Sequence, residues 1–172
     1  MSLPNTPAPL PATPHEVAFV LDSMADWPTL TSAIRPGVEV LVLDAQGDAL
    51  AQMATYLTQL APGSVAAIHL LSDGSSGSLA LGTNTLTAAN LPQHITTLSR
   101  LGHSLTPHGE VLLYACEFGR GTVGEHLVQA LAFIMARRVV ASSNITSGQV
   151  GVEALFKIDS FQRLSIKGCS PI

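Results

Sequence analysis

Carboxylates and a thiol follow several short apolar runs of this sequence, and these residue types can do chemistry together. Asp22, Asp44 and Asp73 each stand where such a run ends, and Cys116 closes another run just ahead of Glu117. A cysteine thiolate is a strong nucleophile when a neighbouring base withdraws its proton. Clustered carboxylate oxygens are the ligands that Mg²⁺ and Ca²⁺ prefer. Either chemistry requires that the fold bring these side chains to one place.

Two alternating periods in the sequence indicate the elements that would position these residues. Five nearly unbroken apolar runs have the pattern of parallel strands that are covered on both faces. They span residues 17–22, 38–44, 65–72, 111–116 and 138–143. The segments between them have helical spacing, and the fourth opens with a capping-box spacing from Thr122 to Glu125. The sequence therefore predicts an α/β fold, a three-layer sandwich around a mostly parallel, flavodoxin-like sheet. Residues 153–158 and 161–166 predict a C-terminal hairpin or edge pair.

The predicted strand ends define one rim of the sheet. Ligands of open parallel sheets bind at the carboxyl ends of the strands, so we expect a binding site there. Turn formation explains the same residues equally well, because Asp, Ser and Gly are common where strands end. Leu79 and Leu81 alternate ahead of Gly82, which predicts a short hairpin over this rim. The candidate binding rim consists of Asp22, Asp44, Gly74, Glu117 and Ser142.

Composition limits the classes of protein that this chain can belong to. The 172 residues are 47% hydrophobic and 12% charged, which predicts one globular domain with a substantial core. Residues 1–15 are a proline-rich leader that we predict to be disordered, and residues 16–172 form the single α/β domain. The net charge of -4 excludes an extended basic surface for nucleic acid. The leader has neither a signal-peptide pattern nor an apolar stretch that could span a membrane.

Three further chemistries fit the sequence poorly. The two cysteines, Cys116 and Cys169, lack paired metal-ligand spacing, so we predict no zinc site and no cofactor. The glycine-serine loop at 74–78 lacks the lysine of a nucleotide-binding loop. A phosphotransfer receiver would need a lysine after the fifth strand, where this chain has Ala141 and Ser142. Simple binding of Mg²⁺ or Ca²⁺ by the carboxylates stays open.

Two strand ends resemble a known signature. AIHLLSDG is followed by LLYAC, and the caspase-like clan of cysteine peptidases has an apolar block with His-Gly and another with Ala-Cys. The runs PGVEVLVLD, SDGSSGSLALG and VVASSNITSG more closely resemble a bacterial domain of unknown function. That domain occurs near the N-termini of very large surface or secreted proteins with calcium-binding and cadherin-like repeats. The resemblance covers residues 17–150 and implies a caspase-like sheet with Cys116 as nucleophile. Asp73 stands where the family has histidine.

This replacement opposes peptidase chemistry. An anionic aspartate beside Cys116 would raise the pKa of the thiol and could not donate a proton to the leaving amine. His108 precedes the strand that ends at Cys116, so we expect it at the opposite edge of the sheet. His69 lies deeper on the strand of Asp73, and we expect it to be a hydrogen-bonded core residue. His126 follows on the next helix, where it is expected to face solvent.

The sequence therefore predicts a catalytically inactive caspase-like domain that acts as a binding or assembly module with a protein or peptide partner. By resemblance, its parent is a larger secreted or surface protein. The alternative is a cysteine endopeptidase that uses Cys116 as nucleophile with an altered dyad at Asp73. An active enzyme needs an accessible, activated thiol, whereas a binding module does not. The oligomeric state does not follow from the sequence.

Overall fold

The computed structural model describes residues 15–115 and 117–141 and has an α/β fold. A five-stranded, entirely parallel sheet in the order β2-β1-β3-β7-β8 forms its centre, and β4, β5 and β6 form a small antiparallel sheet. The predicted α/β fold around a mostly parallel sheet is confirmed. The elements in chain order are β1 (His15–Leu21), α1 (Trp27–Ala33), β2 (Val38–Leu43), α2 (Ala49–Leu57), β3 (Val65–Leu71), β4 (Gly74–Ser75), β5 (Ser78–Leu81), β6 (Asn84–Thr87), α3 (Leu91–Ser104), β7 (Leu105–Tyr114), α4 (Gly121–Met135) and β8 (Arg138–Ala141).

Helices cover both faces of the central sheet. Side chains of α2, α3 and α4 pack with Phe19 and Leu70 to form the main core on one face. On the other face, Leu30 of α1 packs against Val20 and Leu71. Successive residues of a strand point to opposite faces, so the unbroken apolar runs supply both of these layers.

The helices α3 and α4 approach each other closely at a glycine. A Cβ atom added at Gly102 would lie 2.1 Å from the carbonyl oxygen of Met135. Side chains from the same stretch of α3, Leu98 and Leu101, are buried in the main core. The missing side chain at Gly102 is therefore a packing requirement of the helical layer.

The small antiparallel sheet follows β3 and confirms the predicted hairpin. Leu79 pairs with Leu86 in the neighbouring strand, and both side chains are buried in the main core together with Leu81. Gly82 has a φ of +74° in the turn between β5 and β6, a backbone conformation that favours glycine. The leucines of this sheet thus anchor it to the main core, and the additional strand β6 extends the hairpin to three strands.

The strand β7 begins earlier than the apolar pattern predicts. Val65 pairs with Leu105, but Ala67 already pairs with Glu110, so residues 106–109 form an irregularity in the ladder. A bulge of this kind absorbs residues that do not pair. His108 belongs to this irregular part of β7, at the end of the strand away from the rim.

The start of α4 differs from the predicted capping box. The helix begins at Gly121 after Arg120, which makes no side-chain capping hydrogen bond. Thr122 therefore lies inside the helix, and the Thr122–Glu125 capping box is wrong. The preceding loop is held instead by hydrogen bonds from Ser76 and Gly77 of the β4–β5 turn.

Several predictions concern residues outside the described ranges. They are the leader before His15, the C-terminal hairpin or edge pair at 153–158 and 161–166, and the site residues Cys116 and Ser142. His15, which the sequence-based division assigns to the leader, is the first residue of β1.

Candidate functional site

The parallel strands bring four acidic residues to one rim of the central sheet. Asp22, Asp44 and Asp73 follow the ends of β1, β2 and β3, and all three are exposed. Glu117 follows β7 and is half-buried. Within residues 15–115 and 117–141, no three His, Cys, Asp or Glu side chains are grouped so that they could hold a metal ion. The rim is thus acidic without forming a chelating cluster in the described part of the chain.

Asp22 and Asp44 both act in local backbone structure. The Oδ1 atom of Asp22 accepts a hydrogen bond from the N–H of Ala45 (2.9 Å), which ties the end of β1 to the end of β2. The Oδ1 atom of Asp44 accepts from the N–H of Gln46 (2.8 Å). The Gln52 side chain of α2 bonds to both the N–H and the carbonyl of Asp44, each at 2.9 Å. Turn formation therefore accounts for both residues, although their exposed carboxylates also face solvent at the rim.

Hydrogen bonds to β5 fix the backbone of the segment Ser72-Asp73-Gly74. Ser72 is buried, and its hydroxyl donates a hydrogen bond to the carbonyl of Ala80 in β5. The N–H of Ala80 in turn donates to the carbonyl of Asp73 (2.9 Å), and Gly74 pairs with Leu79. The backbone at Asp73 is therefore fixed, whereas its carboxylate makes no hydrogen bond or ion pair within the described residues. Asp73 thus presents an exposed carboxylate at the end of β3 that is unpaired within residues 15–115 and 117–141.

The loop after β7 packs against the β4–β5 turn. The hydroxyl of Ser76 donates to the carbonyl of Arg120 (2.5 Å), and the N–H of Gly77 donates to the carbonyl of Phe118 (3.1 Å). Glu117 has a φ of +51°, which is uncommon for a residue other than glycine, and it forms an ion pair with Arg120. These contacts join the segment that follows Asp73 to the segment that contains Glu117.

The pairing of β3 with β7 shows how the ends of these two strands lie beside each other. Leu71 pairs with Tyr114, and the N–H of Ser72 donates to the Tyr114 carbonyl (3.2 Å). Along the sequence, Asp73 and Cys116 each come two residues after this pair. Cys116 itself lies outside the described residues, as does Ser142 of the candidate binding rim.

His69 belongs to a buried polar cluster on the sheet face that α1 covers. Its ring nitrogens lie 3.1 Å from the Tyr114 hydroxyl and 3.1 Å from Oε2 of Glu16, which also bonds to Arg35 (2.6 Å). The ring is only 4% exposed. A carboxylate only accepts hydrogen bonds, so Nε2 carries the proton toward Glu16 and Nδ1 accepts from Tyr114. The prediction of a hydrogen-bonded core histidine is confirmed, and this imidazole is not free to serve the rim.

Burial sets the ionisation of this cluster. It lowers the pKa of His69 below its usual value, although the Glu16 carboxylate opposes this shift. Burial alone would raise the pKa of Glu16, but the hydrogen bonds from Arg35 and His69 outweigh it, so that pKa is lowered. Burial and the nearby Glu110 raise the pKa of Tyr114 to about 12. At neutral pH the cluster therefore contains a neutral imidazole, a carboxylate and a protonated phenol.

The other described histidines lie on separate elements. His126 is exposed on α4, as predicted, and His94 and His103 lie on α3. His108 is in the early part of β7 and His15 begins β1, so both are at the end of the sheet opposite the rim. Among the described histidines, only His69 lies on β3, the strand that precedes Asp73.

The sequence contains one indication of the polar cluster around His69. His69 is a polar residue inside an apolar run, and Glu16 directly precedes another such run. The parallel register pairs Glu16 with Ala67 and Ala18 with His69, so the two polar side chains lie diagonally across neighbouring strands. The order of the strands, which the sequence alone does not fix, was needed to recognise this contact.

The sequence matches a known protein family over residues 17–153, described as a domain of unknown function (DUF4347). The match spans most of the chain and nearly all of the described structure, so the chain belongs to this family. No curated protein matches the sequence. Among the described residues, no helix is long and apolar enough to cross a membrane.

Proposed function

We propose that this chain is a caspase-like domain without peptidase activity, which serves as a binding or assembly module of a larger secreted or surface protein. The observation that carries the proposal is the Asp73 carboxylate, which is exposed and without a partner in the described part of the chain. The caspase-like family that the sequence resembles has its catalytic histidine at the corresponding position. The neighbouring ends of β3 and β7 support the caspase-like relationship, because a dyad of this type joins two such strand ends.

The chemistry of aspartate argues against peptide hydrolysis at this rim. A carboxylate is ionised at neutral pH, so it has no proton to give to the leaving amine. In the proposed site, its negative charge also disfavours the thiolate form of Cys116. General acid–base assistance is worth roughly 10² to 10⁴-fold in rate, and a chain without it would hydrolyse peptides too slowly to be useful.

His69 does not compensate for the loss of the dyad histidine. It lies four residues before Asp73 on β3, and both of its ring nitrogens are engaged by Glu16 and Tyr114. Freeing the ring would cost each of two partly buried groups, the Glu16 carboxylate and the Tyr114 hydroxyl, one hydrogen bond. The polar cluster therefore supports a structural role for this imidazole.

The rim itself supports a role in binding. Asp22, Asp44 and Asp73 are exposed on one rim of the sheet. Gly74 and Glu117 belong to the two segments that the hydrogen bonds between the β4–β5 turn and the loop after β7 join. Loops at the carboxyl ends of a rigid parallel sheet are the usual place for ligand recognition in such folds. An acidic rim on a chain of net charge -4 favours a protein or peptide partner with basic side chains.

A peptide library that is tested for both cleavage and binding would examine this proposal. We expect no cleavage by the wild-type chain, and we expect binding that weakens in the Asp22→Asn, Asp44→Asn and Asp73→Asn variants. Glu125→Gln is the matched control, because Glu125 is an exposed carboxylate that lies within α4 and follows none of these three strand ends.

Two outcomes would overturn the proposal. If the wild-type chain cleaves peptides and Cys116→Ala abolishes the cleavage, the domain is a cysteine endopeptidase with an altered dyad. If bound peptides are retained equally by the three rim variants and by the Glu125→Gln control, the acidic rim is not the recognition surface.

A further inference from the structure

The strand β2 is an open edge of the central sheet. Within the described residues it pairs only with β1, through six consecutive pairs from Glu16–Val38 to Leu21–Leu43 without a bulge. Its sequence, VEVLVL, contains neither lysine nor proline. Natural proteins usually protect an edge strand with charged residues, above all lysine, with proline, with bulges or with a very short strand. Of these protections β2 has only the single charge of Glu39.

The register identifies which backbone groups face the open edge. The carbonyl of Leu43 accepts from the N–H of Asp22 (3.0 Å), so the polar backbone groups of Leu43 point toward β1. Backbone direction alternates along a strand, which turns the N–H and C=O groups of Val40 and Val42 outward. The Val42 side chain is also 44% exposed. The edge therefore presents both backbone hydrogen-bonding groups and apolar side chains.

We propose that β2 pairs with β2 of a second copy of this chain in an antiparallel arrangement, which joins the two central sheets. The register that uses the outward-facing residues best pairs Val40 with Val40 of the second copy and Val38 with Val42 of the second copy. These valines then form one continuous row on the face of the sheet, and β-branched side chains pack well in such cross-strand pairs. A two-fold axis through Val40 makes the contact closed and self-complementary.

Charges at the two ends of β2 favour a second copy in the antiparallel direction. Arg35, which is also ion-paired with Glu16 of its own chain (2.6 Å), precedes the strand, and Asp44 follows it. Both side chains are exposed. Antiparallel pairing places each Arg35 near Asp44 of the other copy, whereas parallel pairing would bring like charges together. The one charged residue within the strand, Glu39, lies opposite Leu41 of the second copy in this register. Glu39 also has His15 as its own partner at 2.8 Å.

Sedimentation of the full chain over a range of concentrations tests this pairing. We expect a dimer whose fraction rises with concentration, and Val42→Lys should raise the dissociation constant at least about tenfold. Val123→Lys is the matched control, because Val123 is 60% exposed on α4 and does not belong to β2. It should leave the dissociation constant unchanged. A wild-type chain that stays monomeric at all concentrations, or a Val42→Lys variant that dimerises equally well, would overturn the proposal.

Amide hydrogen exchange of the wild-type chain provides a readout that requires no variant. The N–H groups of Val40 and Val42 should become protected as the concentration rises, while those of Leu41 and Leu43 are protected at every concentration by pairing with β1. Protection of Val40 and Val42 that does not depend on concentration would assign the edge to another segment of the same chain and contradict the proposal. This inference does not depend on the proposed inactivity of the rim.

Discussion

Replacing His69 with leucine tests the buried polar cluster. Leucine occupies a similar space but makes no hydrogen bonds, so Glu16 and Tyr114 each lose one partner at 3.1 Å. Leaving a buried polar group short of a hydrogen bond costs about 1–3 kcal/mol. Glu16 keeps its bond to Arg35 and Tyr114 has a further interaction, so we expect a loss of about 1–3 kcal/mol in total at pH 7.

The same substitution should change how stability depends on pH. The pKa of His69 is lower in the folded chain than its usual 6.5, so the unfolded chain binds more protons as the pH falls below 6.5. This contribution to stability is therefore present above pH 6.5 and is lost as the pH falls through the folded-state pKa. Each unit by which the two pKa values differ corresponds to about 1.4 kcal/mol. The lowered pKa of Glu16 has the same effect on stability at pH values below its usual pKa of 4.5. His69→Leu removes only the pH dependence that comes from His69.

Urea unfolding at pH 7, 6 and 5 measures this effect. Trp27, the single tryptophan, packs on the α1 face of the sheet, so its fluorescence follows the relevant layer. With a slope of about 1–3 kcal/mol per molar urea, the expected loss of about 1–3 kcal/mol at pH 7 lowers the midpoint by roughly 0.3–3 M. The difference in unfolding free energy between the wild type and His69→Leu should shrink toward pH 5. The control His126→Leu, at an exposed position, should keep the pH dependence of the wild type. Parallel stability curves for the wild type and His69→Leu would refute this reasoning.

Two further substitutions test the packing of α3 against α4 and the N-terminal cap of α2. Gly102→Ala should destabilise the fold by about 1–3 kcal/mol even though alanine favours a helix, because its Cβ would clash with the Met135 carbonyl oxygen 2.1 Å away. The control is Thr96→Ala, at an exposed position of the same helix, which should be neutral or stabilising in thermal unfolding. Asp48→Ala should lower the unfolding free energy by about 1 kcal/mol, because the Asp48 carboxylate caps the first turn of α2; an unchanged melting temperature would contradict that role.

The elements of the central sheet could be predicted because their sequences are unambiguous. The runs that contain β1, β2 and β3 are apolar at nearly every position, which fits strands buried on both faces. The early start of β7 could not be predicted, because Pro107 and Gly109 disfavour a regular strand and the irregularity at 106–109 depends on pairing with β3. Local pattern thus identified the strands, whereas tertiary pairing set their limits.

The helix surfaces illustrate another limit of sequence patterns. Ile95 and Val123 fit the apolar stripes of α3 and α4 by their spacing, yet they are 46% and 60% exposed. Their burial depends on how far each helix extends over the sheet, which spacing does not encode. The shared rim of Asp22, Asp44 and Asp73 followed from the parallel direction of the strands alone, whereas the local bonds of Asp22 and Asp44 required the loop conformations.

The pH dependence of Cys116 alkylation tests most directly whether an aspartate has replaced the base of a thiol site. Iodoacetamide rates would be measured from pH 5 to 9 in a Cys169→Ser background, so that Cys116 is the one remaining thiol. The account predicts that the wild-type thiol has a pKa at or above the usual value of about 8.5, and that Asp73→His lowers it and accelerates alkylation near neutral pH. A wild-type thiol that is already fully reactive at about pH 6, far below its usual pKa, would contradict the account and identify Cys116 as an activated nucleophile.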